Sequence, residues 1–262
     1  MRGLVEEIEQ AAYRAWTPEE HAVVGTWSVR ASNGLSRRLN SAEPVDGASV
    51  GDLIADLEAC RAWLTQRKLP FVIRATPLRP VGIDVALLRH GFREEGETYV
   101  MTSAVSRTAV DHPAVVGAVP TDGWVDAQLR LKGADSASAA WMAVLDRVPQ
   151  PAAFTELFED EAPIGAGLGV LGGTMLGVFD VNVARDRRRL GHGRRLMEVL
   201  HAWAAARGGT HSYLQVQADN VAGLGLYRSL GYEAAYRYHY LRERGKEIGA
   251  GGVGEASAEG EP

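Results

Sequence analysis

The chain has 262 residues, 46% apolar and 23% charged, which excludes a mainly disordered protein and fits one large core or two modest domains. No apolar run approaches the roughly 20 residues that span a bilayer, so no membrane partner is expected. A net charge of −5 with a pI near 5.8 argues against nucleic acid as a partner.

The opening, Met1-Arg-Gly-Leu-Val-Glu-Glu, turns acidic where a signal peptide would need its apolar region. Leu4 to Trp16 reads as a helix, and Thr17-Pro-Glu-Glu is placed to cap a second one. Thr26-Trp-Ser-Val-Arg-Ala alternates as a strand and runs into an Asn33-Gly34 turn. Arg37-Arg38-Leu-Asn40-Ser41 then forms a polar cluster, either a hydrogen-bonded solvent loop or a site where Arg38 and Asn40 read a polar acceptor. Leu57 to Arg67 is an amphipathic helix holding the single cysteine, Cys60. One cysteine makes neither an internal disulfide nor a thiolate zinc site, and the reducing cytoplasm is the expected compartment.

Beyond a join near Ser106 to Pro113, three successive strands are expected at Ala152 to Phe158, Gly165 to Leu171 and Thr174 to Val183. Gly167-Leu-Gly169-Val-Leu-Gly172 matches the dinucleotide fingerprint by letter. A strand-like run follows it instead of a helix, so the glycines read as a strand and its hairpin turn. The stretch 245–262 is Gly, Ala, Glu and Ser with almost no apolar anchor, and is expected to be a disordered tail.

The chain also repeats itself. Leu57-Glu-Ala-Cys-Arg-Ala-Trp-Leu-Thr-Gln-Arg67 lies under Met197-Glu-Val-Leu-His-Ala-Trp-Ala-Ala-Ala-Arg207, with Trp63 beneath Trp203 at an offset of 140. The same offset carries Gly91-Phe92 onto Gly231-Tyr232 without a gap. Each copy reads as helix, strand, second helix, Gly-aromatic and final strand. The expected fold class is therefore α/β (α+β): two tandem units, each a mixed, mostly antiparallel twisted sheet flanked by helices, over 1–108 and 109–244.

Two clusters carry chemistry. A strand ends at Val183, Arg188-x-x-Gly191-x-Gly193 follows, and a helical pattern runs on through Leu196, Leu200 and Trp203. The first-turn amides of such a helix lack intrahelical acceptors and face the positive end of its dipole. Glycines let a diphosphate approach the backbone, and Arg188, Arg189 and Arg194 surround the same spot with positive charge. The other reading of these arginines is a solvated basic turn. In the second cluster a strand, Tyr213 to Gln217, leads to Asp219-Asn220 and a short helix that carries Tyr227 and stops at Gly231. Taken alone, Tyr227 reads more readily as an interfacial packing tyrosine than as a catalyst.

Arg188-x-x-Gly191-x-Gly193 resembles the acyl-CoA-binding motif of the GNAT superfamily of N-acyltransferases, R/Q-x-x-G-x-G/A. Asn220-x-Ala222-x-x-x-Leu226-Tyr227-x-x-x-Gly231-Tyr232 resembles the next motif of that superfamily, with one residue fewer before the alanine. The whole chain resembles a tandem GNAT protein. That resemblance implies acetyl-CoA as co-substrate, no metal, and a small-molecule or peptide amine as acceptor. It places Val181, Asn182 and Val183 along pantetheine, and Arg188, Arg189, Leu190, Gly191, His192, Gly193 and Arg194 around the diphosphate. Asn220 joins the cofactor site, and Tyr227 protonates the departing thiolate. Asp180, or Glu156, Glu159 or Glu161 through water, takes the ammonium proton, with Asp180 the choice made here. At the offset of 140, Ala48, Gly51, Leu53 and Leu87 stand for Arg188, Gly191, Gly193 and Tyr227, so the N-terminal copy is read as degenerate, a scaffold or acceptor wall. A non-catalytic acyl-CoA-binding regulator is the alternative.

Overall fold

A computed structural model describes residues 2–34, 36–106, 114–133 and 139–243. Among them the chain separates into two compact units, one holding residues 2–6, 17–99 and 236–243 and the other 7–16 and 100–235. These limits differ from the expected division at 108/109. The reason lies in two long strands, β5 (Phe92–Ala104) and β11 (Glu233–Glu243), whose residues are shared between the units. Most of the expected join and the whole expected tail lie outside the described residues.

The first unit begins with the hairpin of β1 (Glu20–Val24) and β2 (Trp27–Ala31). The helix expected after Thr17 is thus a strand: Glu20-His-Ala-Val-Val pairs antiparallel with β2, from Glu20↔Ala31 to Val24↔Trp27. β-Branched residues beside a partner strand outweigh the capping signal. The one-turn helix Arg37–Leu39, β3 (Ala42–Pro44), α2 (Val50–Ala55), α3 (Leu57–Gln66), β4 (Val72–Ala75) and α4 (Ile83–Arg89) follow. The sheet order is β1-β2-β3-β4-β11-β5. Trp27, Val29, Ile73 and Leu241 of the sheet pack with Leu53, Leu57, Leu64 and Leu87 of the helices. Trp27 satisfies its indole by donating to the Leu53 carbonyl at 2.9 Å. Cys60 lies in this core, and burial pushes its thiol up to about 12, which leaves it chemically inert.

The second unit holds most of α1 (Arg2–Ala15), then β6 (Ala114–Gly117), α5 (Asp122–Lys132), α6 (Ala139–Leu145), β7 (Ala152–Glu159), β8 (Ala162–Gly172) and β9 (Met175–Val183). After it come α7 (His192–Ala205), β10 (His211–Gln217) and α8 (Val221–Ser229). The sheet order is β5-β10-β9-β8-β7-β6, with β9 and β10 parallel. The three expected strands are present, and the turn at Gly173 (φ +62°) joins β8 to β9. The glycines of the false fingerprint serve packing. A Cβ on Gly169 would stand 2.9 Å from Leu200 of α7, and one on Gly165 3.1 Å from Leu196. Bare backbone on alternate positions lets α7 approach the sheet. On the other face Trp124 of α5 lies edge-on to Phe154 at 5.0 Å and stacks with Trp141 of α6.

The offset of 140 places β4, α4 and β5 against β10, α8 and β11. Gly91 (φ +86°) and Gly231 (φ +82°) both turn the chain out of the preceding helix in the left-handed region. Beyond Gly231 lies a buried polar triad that the motifs do not signal. The His201 Nδ1 accepts from the Ser106 N–H at 3.0 Å, which puts the proton of the neutral ring on Nε2, 2.8 Å from the Tyr232 hydroxyl. That hydroxyl is 2.5 Å from Ser212 Oγ. Burial lowers His201 to about 4 from an ordinary 6.5. Between those values the unfolded chain takes up a proton that the folded one refuses. Stability is therefore full above pH 6.5 and falls by about 3 kcal/mol as the pH drops to 4. Urea unfolding across that range should show the slope, and His201→Gln should flatten it.

Candidate active site

The site begins with a defect in a strand. Ala166 pairs with Asn182 and Leu168 with Phe179, so Asp180 and Val181 together oppose Gly167 alone, a β-bulge. Asp180 sits in the left-handed region at φ +48°. On the other side of β9, the parallel register with β10 ends at Val178↔Leu214. β9 continues to Val183 and β10 to Gln217. The strands thus part at the bulge, and Val181, Asn182 and Val183 lie in the stretch of β9 beyond that register. A strand edge left in this way pairs with an extended, amide-bearing ligand.

The chain leaves β9 through the one-turn helix Arg185–Arg187, then reaches Gly191 and α7. Gly191 is the N-cap of α7 at φ +86°, and open space surrounds the position of its missing Cβ. The first α-helical bond runs from the Arg195 N–H to the Gly191 carbonyl at 3.1 Å. The N–H groups of His192, Gly193 and Arg194 therefore have no acceptor within the helix. Arg188, Arg189 and Leu190 are exposed beside them. Arg188 Nε donates to the Val183 carbonyl at 3.3 Å, which ties the turn to the strand end. Arg194 donates to the Ser229 carbonyl and hydroxyl at 3.2 and 2.8 Å, joining α7 to the end of α8. His192 is buried with Nδ1 lacking a hydrogen bond, and burial first, then Arg195, lowers its pKa.

Gly193 departs from the expectation that both glycines make room for phosphate. A Cβ there would lie 2.9 Å from Leu226 of α8, so the second glycine permits helix packing. Open backbone at Gly191, first-turn amides without an intrahelical acceptor and exposed guanidiniums fit a polyphosphate.

α8 begins at Asn220, whose Oδ1 accepts from the Gly223 N–H at 2.8 Å. That oxygen is engaged as a helix cap, a structural task beside the cofactor role expected of it. Tyr227 projects from the same helix, half-buried, with its ring 6.0 Å from that of Tyr232. Burial pushes its phenol up to about 12, so it keeps its proton at neutral pH. The phenol thus keeps a proton that it can donate.

The carboxylates differ in their surroundings. Asp180 Oδ1 is 3.2 Å from Lys132 Nζ, and Oδ2 is buried without a hydrogen bond. Glu156 shares a ladder row with Ala166 and Asn182. Burial raises its pKa while Arg130 pulls it down. Glu159 pairs with Arg187 at 2.6 Å, and Glu161 is exposed.

The polar cluster of the first unit folds as a hydrogen-bonded loop. Asn40 is buried: its Oδ1 accepts from the Ser32 and Gly34 N–H groups at 2.7 and 3.2 Å, and its Nδ2 donates to the Ser36 carbonyl at 2.7 Å. Its amide closes a loop and is engaged there. Arg38 is half-buried in the one-turn helix Arg37–Leu39. Sequence gives no metal-ligating cluster, yet folding gathers Asp84, Glu94 and His239 within 4.8 Å. There Arg79 donates to both oxygens of Asp84 at 2.6 and 2.5 Å.

Sequence reasoning also missed Gln128 and Lys132 of α5, since no family motif reaches that helix. Only the polar Gln128 within an otherwise apolar helix face offered a signal.

A protein-family model described as "Probable histone acetyltransferase Rv0428c C-terminal" matches residues 4–241. The uncharacterized N-acetyltransferase YobR of Bacillus subtilis is 25% identical over 248 residues, covering 92% of this chain and 99% of its own. The probable histone acetyltransferase Rv0428c of Mycobacterium tuberculosis is 28% identical over 250 residues, 90% of this chain and 73% of its own. A GCN5-related N-acetyltransferase from Kribbella flavida shares the fold at a TM-score of 0.68 and 16% identity, over 92% of this chain and 95% of its own. A tandem GNAT protein from the clavulanic acid biosynthesis pathway does so at 0.59 and 13%, over 89% and 86%.

Proposed function

We propose that this chain, which belongs to the Rv0428c C-terminal family and with it to the GNAT superfamily of acyltransferases, transfers the acetyl group of acetyl-CoA to a primary amine. The observation that carries the reading is the run of the β9 bulge and parted strand edge into the open N-terminus of α7. When bound, acetyl-CoA supplies an activated acetyl thioester. In this reading the backbone of Val181 to Val183 aligns its pantetheine amides, and the first turn of α7 with Arg188 and Arg189 holds its diphosphate.

Asp180 takes the ammonium proton of the acceptor through Oδ2, the oxygen that Lys132 leaves free of a hydrogen bond. A backbone N–H at the bulge meets the negative charge that develops on the carbonyl oxygen. Tyr227 gives its proton to the departing thiolate.

The first unit supports one site per chain. At the offset of 140, Asp52 stands for His192, in the first turn of α2. The Ser49 hydroxyl already accepts from the Asp52 N–H at 3.2 Å and bonds its carboxylate at 2.7 Å. A capped turn carrying a carboxylate repels phosphate. Calorimetry with acetyl-CoA should give a stoichiometry near one per chain, and an amine panel should reveal thioester consumption. Two equivalent sites would remove the degenerate-copy reading. Binding without turnover of any amine would favour a regulator.

A further inference from the structure

The bulge that shapes the site is held from α5 by a side chain no motif includes. Gln128 is fully buried. Its Nε2 donates to the Asp180 carbonyl at 2.8 Å, and its Oε1 accepts from Asn182 Nδ2 at 2.8 Å. Asn182 Nδ2 also reaches the Asp180 carbonyl, at 3.1 Å. One backbone oxygen therefore accepts two side-chain hydrogen bonds, both from the α5 side of the sheet. A peptide unit is planar and trans, so its N–H points opposite to its C=O. Fixing the Asp180 carbonyl toward α5 turns the Val181 N–H away from α5, in the stretch of β9 that has passed its last partner on β10. Drawing electron density toward a doubly bonded carbonyl oxygen also makes the N–H of the same peptide a stronger donor.

We infer that Gln128 is a positioning residue, which with Asn182 orients and polarises the Asp180–Val181 peptide so that the Val181 N–H receives the thioester oxygen. This rests on the acetyltransferase reading, in which a bulge N–H already meets the thioester oxygen, and adds to it the side chain that aims that donor. A purely structural amide would satisfy buried groups without touching the electronics of a bound thioester, and that contrast gives the test.

Infrared difference spectra of the full chain with carbonyl-labelled [13C]acetyl-CoA should show the thioester C=O stretch at lower wavenumber than in solution. Gln128→Met keeps length and fills the same space without the donor. It should bind acetyl-CoA within about twofold of the parent, return the stretch toward its solution value, and lower turnover on the order of ten- to a hundredfold. Removing an oxyanion donor outright costs more, about 10²–10³-fold. Asn182→Ser should move the stretch in the same direction by less, and it carries the test where Gln128→Met does not fold.

A folded Gln128→Met with an unmoved carbonyl stretch overturns the inference. So does a wild-type protein that binds acetyl-CoA without lowering the stretch, which leaves the acetyltransferase reading intact. A wild-type protein that does not bind acetyl-CoA overturns both.

Discussion

Tyr227→Phe is expected to leave acetyl-CoA affinity within about twofold and to lower turnover by about 10²–10⁴-fold. The substitution removes one oxygen and keeps the ring that lies 6.0 Å from Tyr232, so α8 should pack as before. Burial holds the phenol near 12, far above neutral pH, and the wild-type enzyme should therefore show no alkaline loss of activity from this group below about pH 11. The phenol is also a stronger acid than the water that would replace it, which is why the loss should exceed a trivial factor. Thiolates leave without full protonation more readily than alkoxides, which favours the lower end of the range. Calorimetry and thioester consumption measured on one preparation separate the two effects. Normal turnover with normal affinity would return Tyr227 to the role of a packing residue against Tyr232.

The parts of this site that sequence revealed are those whose chemistry is local. Arg188-x-x-Gly191-x-Gly193 announces a helix N-terminus because the constraint on each residue is set within one turn, and α7 starts at His192 beside it. Asn220 and Gly231 likewise mark the ends of α8 through their own backbone needs. What stayed hidden depends on partners far along the chain. Gly193 looks like a phosphate glycine until Leu226 is seen 2.9 Å from where its Cβ would stand. Asn40 looks like a polar contact for a ligand until the N–H groups of Ser32 and Gly34 are found on its oxygen. The bulge at Asp180 could not be read at all, since its positive φ goes with a hydrogen bond from Gln128 and a register shift against β8, both set by residues outside the strand. The limits of the compact units differ from the division read from sequence for the same reason. The repeat in sequence assigns β11 to the second copy, while its antiparallel register with β4, from His239↔Ala75 to Arg242↔Val72, gives its end to the first unit.

Gly191→Val is expected to abolish measurable acetyl-CoA binding while the chain stays folded. Two effects act together. At φ +86° a β-branched residue is out of its allowed region, which costs on the order of 1–3 kcal/mol and is relieved by rotating the turn, carrying the first N–H groups of α7 out of their shared direction. The side chain also fills the open space above Gly191, through which a diphosphate must approach those amides. Gly191→Asn separates the two, because asparagine tolerates the left-handed region and adds bulk with less strain. If strain dominates, Asn should retain much of the affinity that Val loses; if bulk dominates, both should lose it. Thermal unfolding read beside the calorimetry guards against confusing a weakened fold with a blocked site, since most of α7, from Leu196 onward, is anchored by Leu196 and Leu200 in the core and should survive either change. A folded Gly191→Val protein that binds acetyl-CoA as tightly as the parent would place the diphosphate elsewhere, and the first turn of α7 would then be an ordinary exposed helix end ringed by solvated arginines.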